Sequence, residues 1–398
     1  MAERPVVDLT DPAFWADIHT PLNAARDQHP VAMLANGEPI VLGHPEVTFV
    51  LRDPRFRTTD LLARSGLTSG RIHEWWSSVM FSTDPPEHTR LRRLVSRAFT
   101  PRRVDALEPV VSAIATSLLE PHLDIGHLDV LHDYAHQLPI RVMSHMLGVP
   151  PDDFHCFAEW TTMLGRAFSP VVDDSLRARL EDAIINLDGY VASLIDHRRT
   201  HPDGDLLSQL IAVEEGGDRL SRDELVAMVE NLLFAGHDTT RGSLSIAVPT
   251  LVHHPHQLAA LRDDPSQIDR AVEELLRYEP PVMGGAREAA VDVEVAGVAI
   301  PAGQRVSVAI AAANRDPRVF AQPDRFDIGR TDDAPILSFG QGVHYCLGAS
   351  LARLEARIGL ARLLEACDDV TLEREPVWEP FAAIRHHDAV PINFSRHR

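Results

Sequence analysis

The chemistry legible in this chain starts at a thiol. Residues 338–348 read SFGQGVHYCLG, which sets Cys346 in a loop spaced by Gly340, Gly342 and Gly348. Glycines let backbone approach another group closely. The run Ala352-Arg353-Leu354-Glu355 that follows opens or continues a helix. A helix N-terminus favours thiolate over thiol through its backbone N–H groups and dipole. Such a sulfur can act as a nucleophile, with His344 two residues away as the local base, or as the axial ligand of a haem iron. Inert packing is the common fate of a buried cysteine, and the flanking glycines argue against it. The three cysteines, Cys156, Cys346 and Cys367, are odd in number, widely spaced and without a CxxC pair. That excludes a disulfide framework and a structural zinc site.

A second polar group, Gly236-His237-Asp238-Thr239-Thr240, interrupts a long apolar run. An acid and an alcohol beside a glycine point to a helix opened locally onto a cavity, where they can relay protons. The alternative is side chains bonding back to the preceding turn. Asp84-Pro85-Pro86-Glu87-His88-Thr89-Arg90-Leu91-Arg92-Arg93 opens another helix, with prolines in its first turn. His88 and Arg92, four apart, share a face, while Arg90, Arg93 and Arg97 point to the opposite one. No acidic residue lies between Arg90 and Arg103. The run is either a solvated basic face or one face for an anionic cofactor and another for an acidic partner. Glu274 and Arg277, three apart on a helix, gain meaning only from this company.

Composition narrows the classes. The formal charge is −20, which disfavours nucleic acid. All 38 basic residues are arginine, so a pyridoxal Schiff base and a P-loop lysine are excluded. No apolar run has the length of a signal peptide or membrane anchor, and a cytoplasmic protein without membrane attachment is expected.

The elements that must position these residues are mostly helical. Apolar residues recur at helical spacing over 102–120, 139–148, 176–200 and 222–248. The last begins with a capping box, Ser221-Arg222-Asp223-Glu224, and is expected to cross the core. Pro249 should kink or stop it. A strand-rich patch follows: Val291, Val293 and Val295 alternate, and a turn at Pro301-Ala302-Gly303 separates Val298 and Ile300 from Val306, Val308 and Ile310. With no repeat or long linker, one domain over residues 1–398 is expected. It is mainly α, with a minor β region around 283–312 and at the N- and C-terminal edges.

Taken together, these motifs resemble the cytochrome P450 family, in its soluble, ferredoxin-dependent bacterial branch. Phe339–Gly348 is similar to its haem-binding loop, and Ala235-Gly236-His237-Asp238-Thr239-Thr240 to its oxygen-activating helix motif. Glu274 and Arg277 resemble its paired acid and arginine. Pro323-Asp324-Arg325-Phe326 resembles the segment whose arginine, here Arg325, joins that pair. The order matches from about residue 80 to 395. The resemblance implies a triangular helical prism, with haem b (iron protoporphyrin IX) buried between the long central helix and the Cys-loop helix.

Roles follow from the resemblance. Cys346 would be the thiolate ligand of the iron. His88, Arg92, Arg287 and His344 would neutralise the haem propionates. Phe99, Ala235, Gly236, Thr239, Ser338, Phe339, Gly340, Gly348 and Ala352 would complete the haem site, Phe339 shielding the sulfur. Asp238 and Thr239 would deliver protons during O2 activation. Glu274, Arg277 and Arg325 would lock the haem-side core. Substrate would meet the loop around residues 61–81, the segment near Met163–Val172, the central helix, Val282–Ala286 and the turn near Phe381. Trp75, Trp76, Met80, Phe81, Met163, Ala235, Val282, Met283 and Phe381 would line an apolar pocket for a lipophilic small molecule, although each could equally be core. Arg90, Arg93, Arg97, Arg102 and Arg103, with Arg353 and Arg357, would form the surface for an acidic ferredoxin served by a ferredoxin reductase. Arg241 would bring charge near the cavity unless it points outward.

The implied activity is monooxygenation, a hydroxylation or an epoxidation, by a monomer. A peroxide-driven peroxygenase of the same fold is a rival, against which the Asp238–Thr239 pair argues. A haem protein that binds a ligand without turnover is another. Zinc or hydrolase chemistry lacks a ligand set around Cys346.

Overall fold

The computed structural model describes residues 4–97, 99–169, 172–215, 218–382 and 384–397. It is mainly helical with minor sheets and divides into two compact units. One comprises Met1–Thr59, Ile246–Cys346 and Glu375–Asp388, the other Asp60–Ser245, Leu347–Arg374 and Ala389–Arg398. The helices that carry the residues discussed below are α1 (Arg71–Ser78), α2 (Glu87–Ser96), α3 (Phe154–Gly165), α4 (Asp174–Thr200), α5 (Arg222–His253), α6 (Ile268–Tyr278) and α7 (Ala349–Ala366). No helix among the described residues is long and apolar enough to cross a membrane.

The first unit is built on a six-stranded sheet in the order Val6–Val7, Val31–Leu34, Pro39–Val41, Arg305–Ala309, Gly284–Ala289, Phe56–Arg57. Arg305–Ala309 runs parallel to Pro39–Val41 and antiparallel to Gly284–Ala289. One face buries Val31, Val41, Val306 and Val308 with Leu337, the residue that leads into the cysteine loop. The expected turn at 301–303 forms, Gln304 N–H donating to the Pro301 carbonyl (3.0 Å), and separates its flanks into two sheets. Val293–Val295 instead pairs with Val298–Ile300 across Ala296-Gly297, whose φ angles are 48° and 76°. That is the handedness a two-residue hairpin requires.

In the second unit α5 begins as expected. Ser221 N–H donates to Glu224 Oε2 (2.7 Å) and Glu224 N–H to Ser221 Oγ (3.2 Å). The helix then runs unbroken through Gly236, so the local opening expected there is absent. Nor does Pro249 stop it; α5 crosses into the first unit after Ser245 and continues to His253. The Thr250 hydroxyl donates to the Ile246 carbonyl (2.8 Å), reinforcing the turn where proline removes a donor. The single helix expected over 102–120 is two, Pro101–Asp105 and Glu108–Leu123, with Pro109 in the first turn of the second. Proline is well suited to that position, where its missing N–H would have no partner in the helix.

The buried ion pair of the first unit corrects an assignment. Arg277 Nε and Nη2 donate to Glu274 at 2.6 and 2.8 Å, both side chains being buried. The third member is Arg330, whose Nε lies 3.2 and 3.1 Å from the two Glu274 oxygens. Arg325 offers its backbone carbonyl to Arg277 and Arg330 and turns its guanidinium to solvent, 3.5 Å from Asp327. Removing one partner of a buried pair is costly, whereas an exposed side chain contributes little. Arg330→Ala is therefore expected to lower unfolding stability by about 3 kcal/mol, and Arg325→Ala by about 0.5 kcal/mol or less. Urea unfolding separates the two; equal losses would remove Arg330 from this role.

Candidate active site

The cysteine loop belongs to the first unit and is held from its upstream end. Asn314 Oδ1 accepts from the Leu337 N–H (2.7 Å), and Asn314 Nδ2 donates to Ser338 Oγ (2.8 Å). The Ser338 hydroxyl donates to the Leu276 carbonyl of α6 (2.7 Å), so Ser338 is a structural anchor; its hydroxyl is committed to the protein. Gly340 and Gly342 take φ of 69° and 72°, and a Cβ on Gly342 would come within 2.5 Å of the Leu51 carbonyl. Both positions need glycine. The Cys346 N–H donates to the Phe339 carbonyl (2.9 Å), closing the loop on itself. Cys346, His344 and Phe339 are half-buried, and Val343 and Tyr345 stand exposed. Arg287, on the Gly284–Ala289 strand, is buried, and its Nη1 donates to the Ala286 carbonyl (2.8 Å). In the second unit Gly348 caps α7, and Ala352 N–H donates to the Gly348 carbonyl (2.9 Å).

Along α5 most side chains from Leu225 to Val248 are buried, but Ala235, Gly236, Thr239 and Ser243 are accessible. Ala235, Thr239 and Ser243 recur every four residues, so they form one narrow stripe of small side chains. Thr239 Oγ1 donates to the Ala235 carbonyl (2.8 Å) and Ser243 Oγ to the Thr239 carbonyl (3.0 Å). Gly236 serves packing as well: a Cβ there would lie 3.0 Å from Met143 Sδ. Asp238 points elsewhere. It is buried, with Oδ1 3.4 Å from Arg241 Nη2, and its Oδ2 would meet a Cβ on Gly165 of α3 at 2.5 Å. Arg241 is thus neither outward nor in an open cavity; it is buried against Asp238. His237 is fully buried, with Nδ1 2.9 Å from Thr161 Oγ1 and Nε2 3.2 Å from the His136 carbonyl. Burial, then the charge of Arg241, push its imidazole down to about 3, so it is neutral.

Glu355 was not among the expected residues. It lies on α7, wholly buried and hydrogen-bonded to the Thr240 hydroxyl; burial pushes its carboxyl up to about 8. A carboxylic acid that is neutral at pH 7 therefore sits beside the Asp-Thr-Thr turn. The sequence signal is a glutamate on the apolar stripe of α7, flanked by the buried Leu351, Leu354 and Ile358.

On α2, His88 is buried and Arg92, one turn on, is half-buried. Burial, then Arg92, lowers the His88 pKa, and Asp84 opposes the shift. Phe99 is half-buried beyond that helix. The basic face is smaller than expected, because acidic residues distant in sequence fold onto it. Arg90 pairs with Glu87 (2.6 Å), Asp218 (3.2 Å) and Glu224, and Arg93 lies 3.6 Å from Asp218. Arg103 donates to Gln209, and Arg357 to Glu108 (2.8 Å). Arg93, Arg97 and Arg102 remain exposed, and Arg353 is half-buried.

The residues expected to meet substrate fall into two groups. In the second unit Trp75, Trp76 and Met80 are buried, Met163 is half-buried and Phe81 is exposed. Trp75 meets Phe234 edge-on (5.7 Å), and Trp76 meets Phe168 (4.8 Å) and Phe81 (5.6 Å). Trp75 is core by this measure. In the first unit Met283 and Phe381 pack on a core with Trp15, and Val282 bridges to Ile384. Of the segment 163–172, residues 170 and 171 lie outside the described residues.

The side chains present fit a haem. The cysteine loop presents a half-buried thiol, the donors suited to carboxylates are two guanidinium and two imidazole groups, and the small-residue stripe on α5 can take a flat ring.

Comparison with known proteins agrees. The cytochrome P450 family profile matches residues 170–383. The chain is 40% identical to the cytochrome P450 monooxygenase PikC of Streptomyces venezuelae, over 100% of this chain and 96% of that one. It is 41% identical to the vitamin D(3) 25-hydroxylase of Pseudonocardia autotrophica, over 97% and 96%. The crystal structure of P450BioI with an acyl carrier protein bearing hexadec-9Z-enoic acid superposes with a TM-score of 0.91 at 33% identity, covering 96% of this chain and 100% of that one. With the loop, the stripe and the full-length match in agreement, the chain belongs to the cytochrome P450 family and is a haem monooxygenase that hydroxylates or epoxidises small molecules.

Proposed function

We propose that this monooxygenase oxidises a free lipophilic small molecule, with Cys346 as the thiolate ligand and Thr239 as the residue that passes protons during O2 reduction. The observation that carries the reading is the accessible stripe on α5, which displays the Thr239 hydroxyl between Ala235 and Ser243. Haem, when bound, supplies the redox centre at which O2 is reduced, one oxygen atom entering the substrate and the other leaving as water.

The chain's own residues do the rest. The glycines at 340 and 342 keep the loop thin, and the Phe339–Cys346 backbone bond fixes the direction of the sulfur. Half-burial of Phe339 beside it limits water at the thiolate. His88, Arg92, Arg287 and His344 would hold the haem carboxylates through charge-assisted hydrogen bonds. The Thr239 hydroxyl would hold a proton on the stripe and pass it toward O2, and Asp238, which points away from the stripe and faces Arg241 at 3.4 Å, would supply protons only by turning from that contact. Trp76, Phe81 and Met163 of the second unit supply apolar surface for the substrate. The vitamin D(3) 25-hydroxylase among the relatives acts, by its name, on a lipophilic molecule.

Electrons come from a separate ferredoxin and its reductase, docking at Arg93, Arg97 and Arg102. Encounter between charged surfaces is steered at low salt and screened at high salt.

Two experiments test this reading. Thr239→Ala is expected to lower product formed per NADH by about tenfold or more, with the missing reducing equivalents recovered as hydrogen peroxide; unchanged coupling would remove Thr239 from proton delivery. Arg97→Glu with Arg102→Glu is expected to slow reduction by ferredoxin by about tenfold at low salt. The difference should fade as salt is raised, while reduction by dithionite is untouched. A salt-independent loss, or none, would place the ferredoxin surface elsewhere.

A further inference from the structure

Within the second unit, α1 is seated on α4 and α5 by a cluster that the monooxygenase reaction does not use. Its N-terminus follows Gly66 and Gly70, with φ of 76° and 91°. Gly70 has no side chain with which to cap the helix, and Glu181 of α4 does so from outside. Glu181 Oε2 accepts from the Arg71 N–H (2.8 Å), and a Cβ on Gly70 would lie 2.2 Å from Glu181 Oε1. Arg71 then reaches Asp188 of α4 with two parallel bonds, both 2.6 Å. Parallel N–H donors onto one carboxylate give the most directional of ion pairs.

The third wall is α5. Glu230 and Phe234 sit one turn apart there, and Arg71 and Trp75 sit one turn apart on α1. Trp75 meets Phe234 at 5.7 Å and 89°. One turn before Phe234, Glu230 is fully buried, and the neighbouring Asp188 raises its pKa. The titratable groups facing this point are Arg71 and Glu74 of α1, Glu181 and Asp188 of α4, and Glu230 of α5. One guanidinium thus answers several carboxyls, and it is already committed to Asp188. A second buried carboxyl beside that pair is held as the neutral acid. Burial, then Asp188, push Glu230 up to about 10.

We propose that α1 is a latched segment whose release is coupled to the loss of one proton: Arg71 locks it to Asp188, and Glu230 keeps its proton only while α1 is seated. When α1 lifts, Trp75 and Arg71 leave, water reaches Glu230, and its proton passes to solvent. The new carboxylate repels Asp188 and opposes reclosure. The sign follows from linkage. A carboxyl raised in the seated state favours that state at low pH, and its contribution falls as pH rises from the ordinary carboxyl range toward 10. Release therefore grows with pH, by up to about tenfold per unit for one proton. The segment covers Phe234, next to the accessible Ala235, so release bares the flank of the α5 stripe. Arg71 and Glu230 are positioning residues, and the proposal holds whether or not Trp75 or Trp76 touches substrate.

Hydrogen exchange on the haem-loaded protein tests it. The Glu74 and Val79 amides, bonded to the Gly70 and Trp75 carbonyls at 3.1 Å, report α1, and α6 amides in the same sample cancel the base catalysis of exchange. Between pH 6.5 and 8.5 the ratio of the two rates is expected to rise by up to about tenfold per unit. Glu230→Gln keeps a donor toward Asp188 and cannot ionise, so its ratio should stay low and flat. Arg71→Gln should raise the ratio by about tenfold or more at every pH, and Asp188→Asn should do the same where Arg71→Gln folds poorly. A Glu230→Gln ratio that still climbs with pH, or no increase on losing Arg71 or Asp188, would overturn the proposal.

Discussion

The guanidinium of Arg277 is the fixed point from which the cysteine loop hangs. A buried guanidinium is tolerated only where its donors are answered. Here Nε and Nη2 bond Glu274, while Nη1 and Nη2 reach the carbonyls of Asn314, Pro323 and Arg325. Glu274 is answered in turn by Arg330 and by the Asp327 N–H. Asn314, held through its carbonyl, spends its side chain on Leu337 and Ser338. The constraint passes through covalent chain and hydrogen bonds from a buried charge to the start of the loop that displays the sulfur. Breaking it would loosen the thiol without touching it.

The second unit solves a different problem. Its long helix is buried yet carries Glu230, His237, Asp238, Thr240 and Arg241. Burial favours the uncharged form of each isolated group, and the pattern follows that rule. Glu230 and Glu355 are held as neutral acids and His237 as neutral imidazole. Asp238 and Arg241 instead face each other at 3.4 Å. The interior can therefore hold protons at several defined atoms near one stripe of small residues. That is a useful property in a monooxygenase, where each turnover consumes protons.

Much of this was legible in sequence because the relevant signals are local. A cysteine among glycines, a capping box and the order Asp-Thr are each contained within one turn or loop. The loop geometry at Gly340 and Gly342 followed directly from residue type. What stayed illegible depended on contacts between distant segments. The run PDRFDIGR contains two arginines, and only the folded loop decides that Arg330 turns inward while Arg325 turns out. The basic face of α2 shrank because Asp218 and Glu224 arrive from more than a hundred residues away in sequence. Arg71, Asp188 and Glu230 belong to three helices, and no periodicity brings them together. Pro249 does not stop α5, because the local penalty of proline is offset by the burial that holds the rest of the helix in place.

The central claim is that the iron is ligated by the sulfur of Cys346 and not by that of Cys156, which is half-buried, or Cys367, which is buried. The most direct measurement is the absorption spectrum of the reduced carbon monoxide complex, taken for the wild type and for Cys346→Ser, Cys156→Ser and Cys367→Ser, with circular dichroism confirming helical content. The red-shifted band characteristic of a thiolate ligand is expected in the wild type and in the variants at 156 and 367, and is expected to be lost in Cys346→Ser alone. A thiolate band that persists in Cys346→Ser, or that vanishes in either of the other two while their helix content is intact, would contradict it.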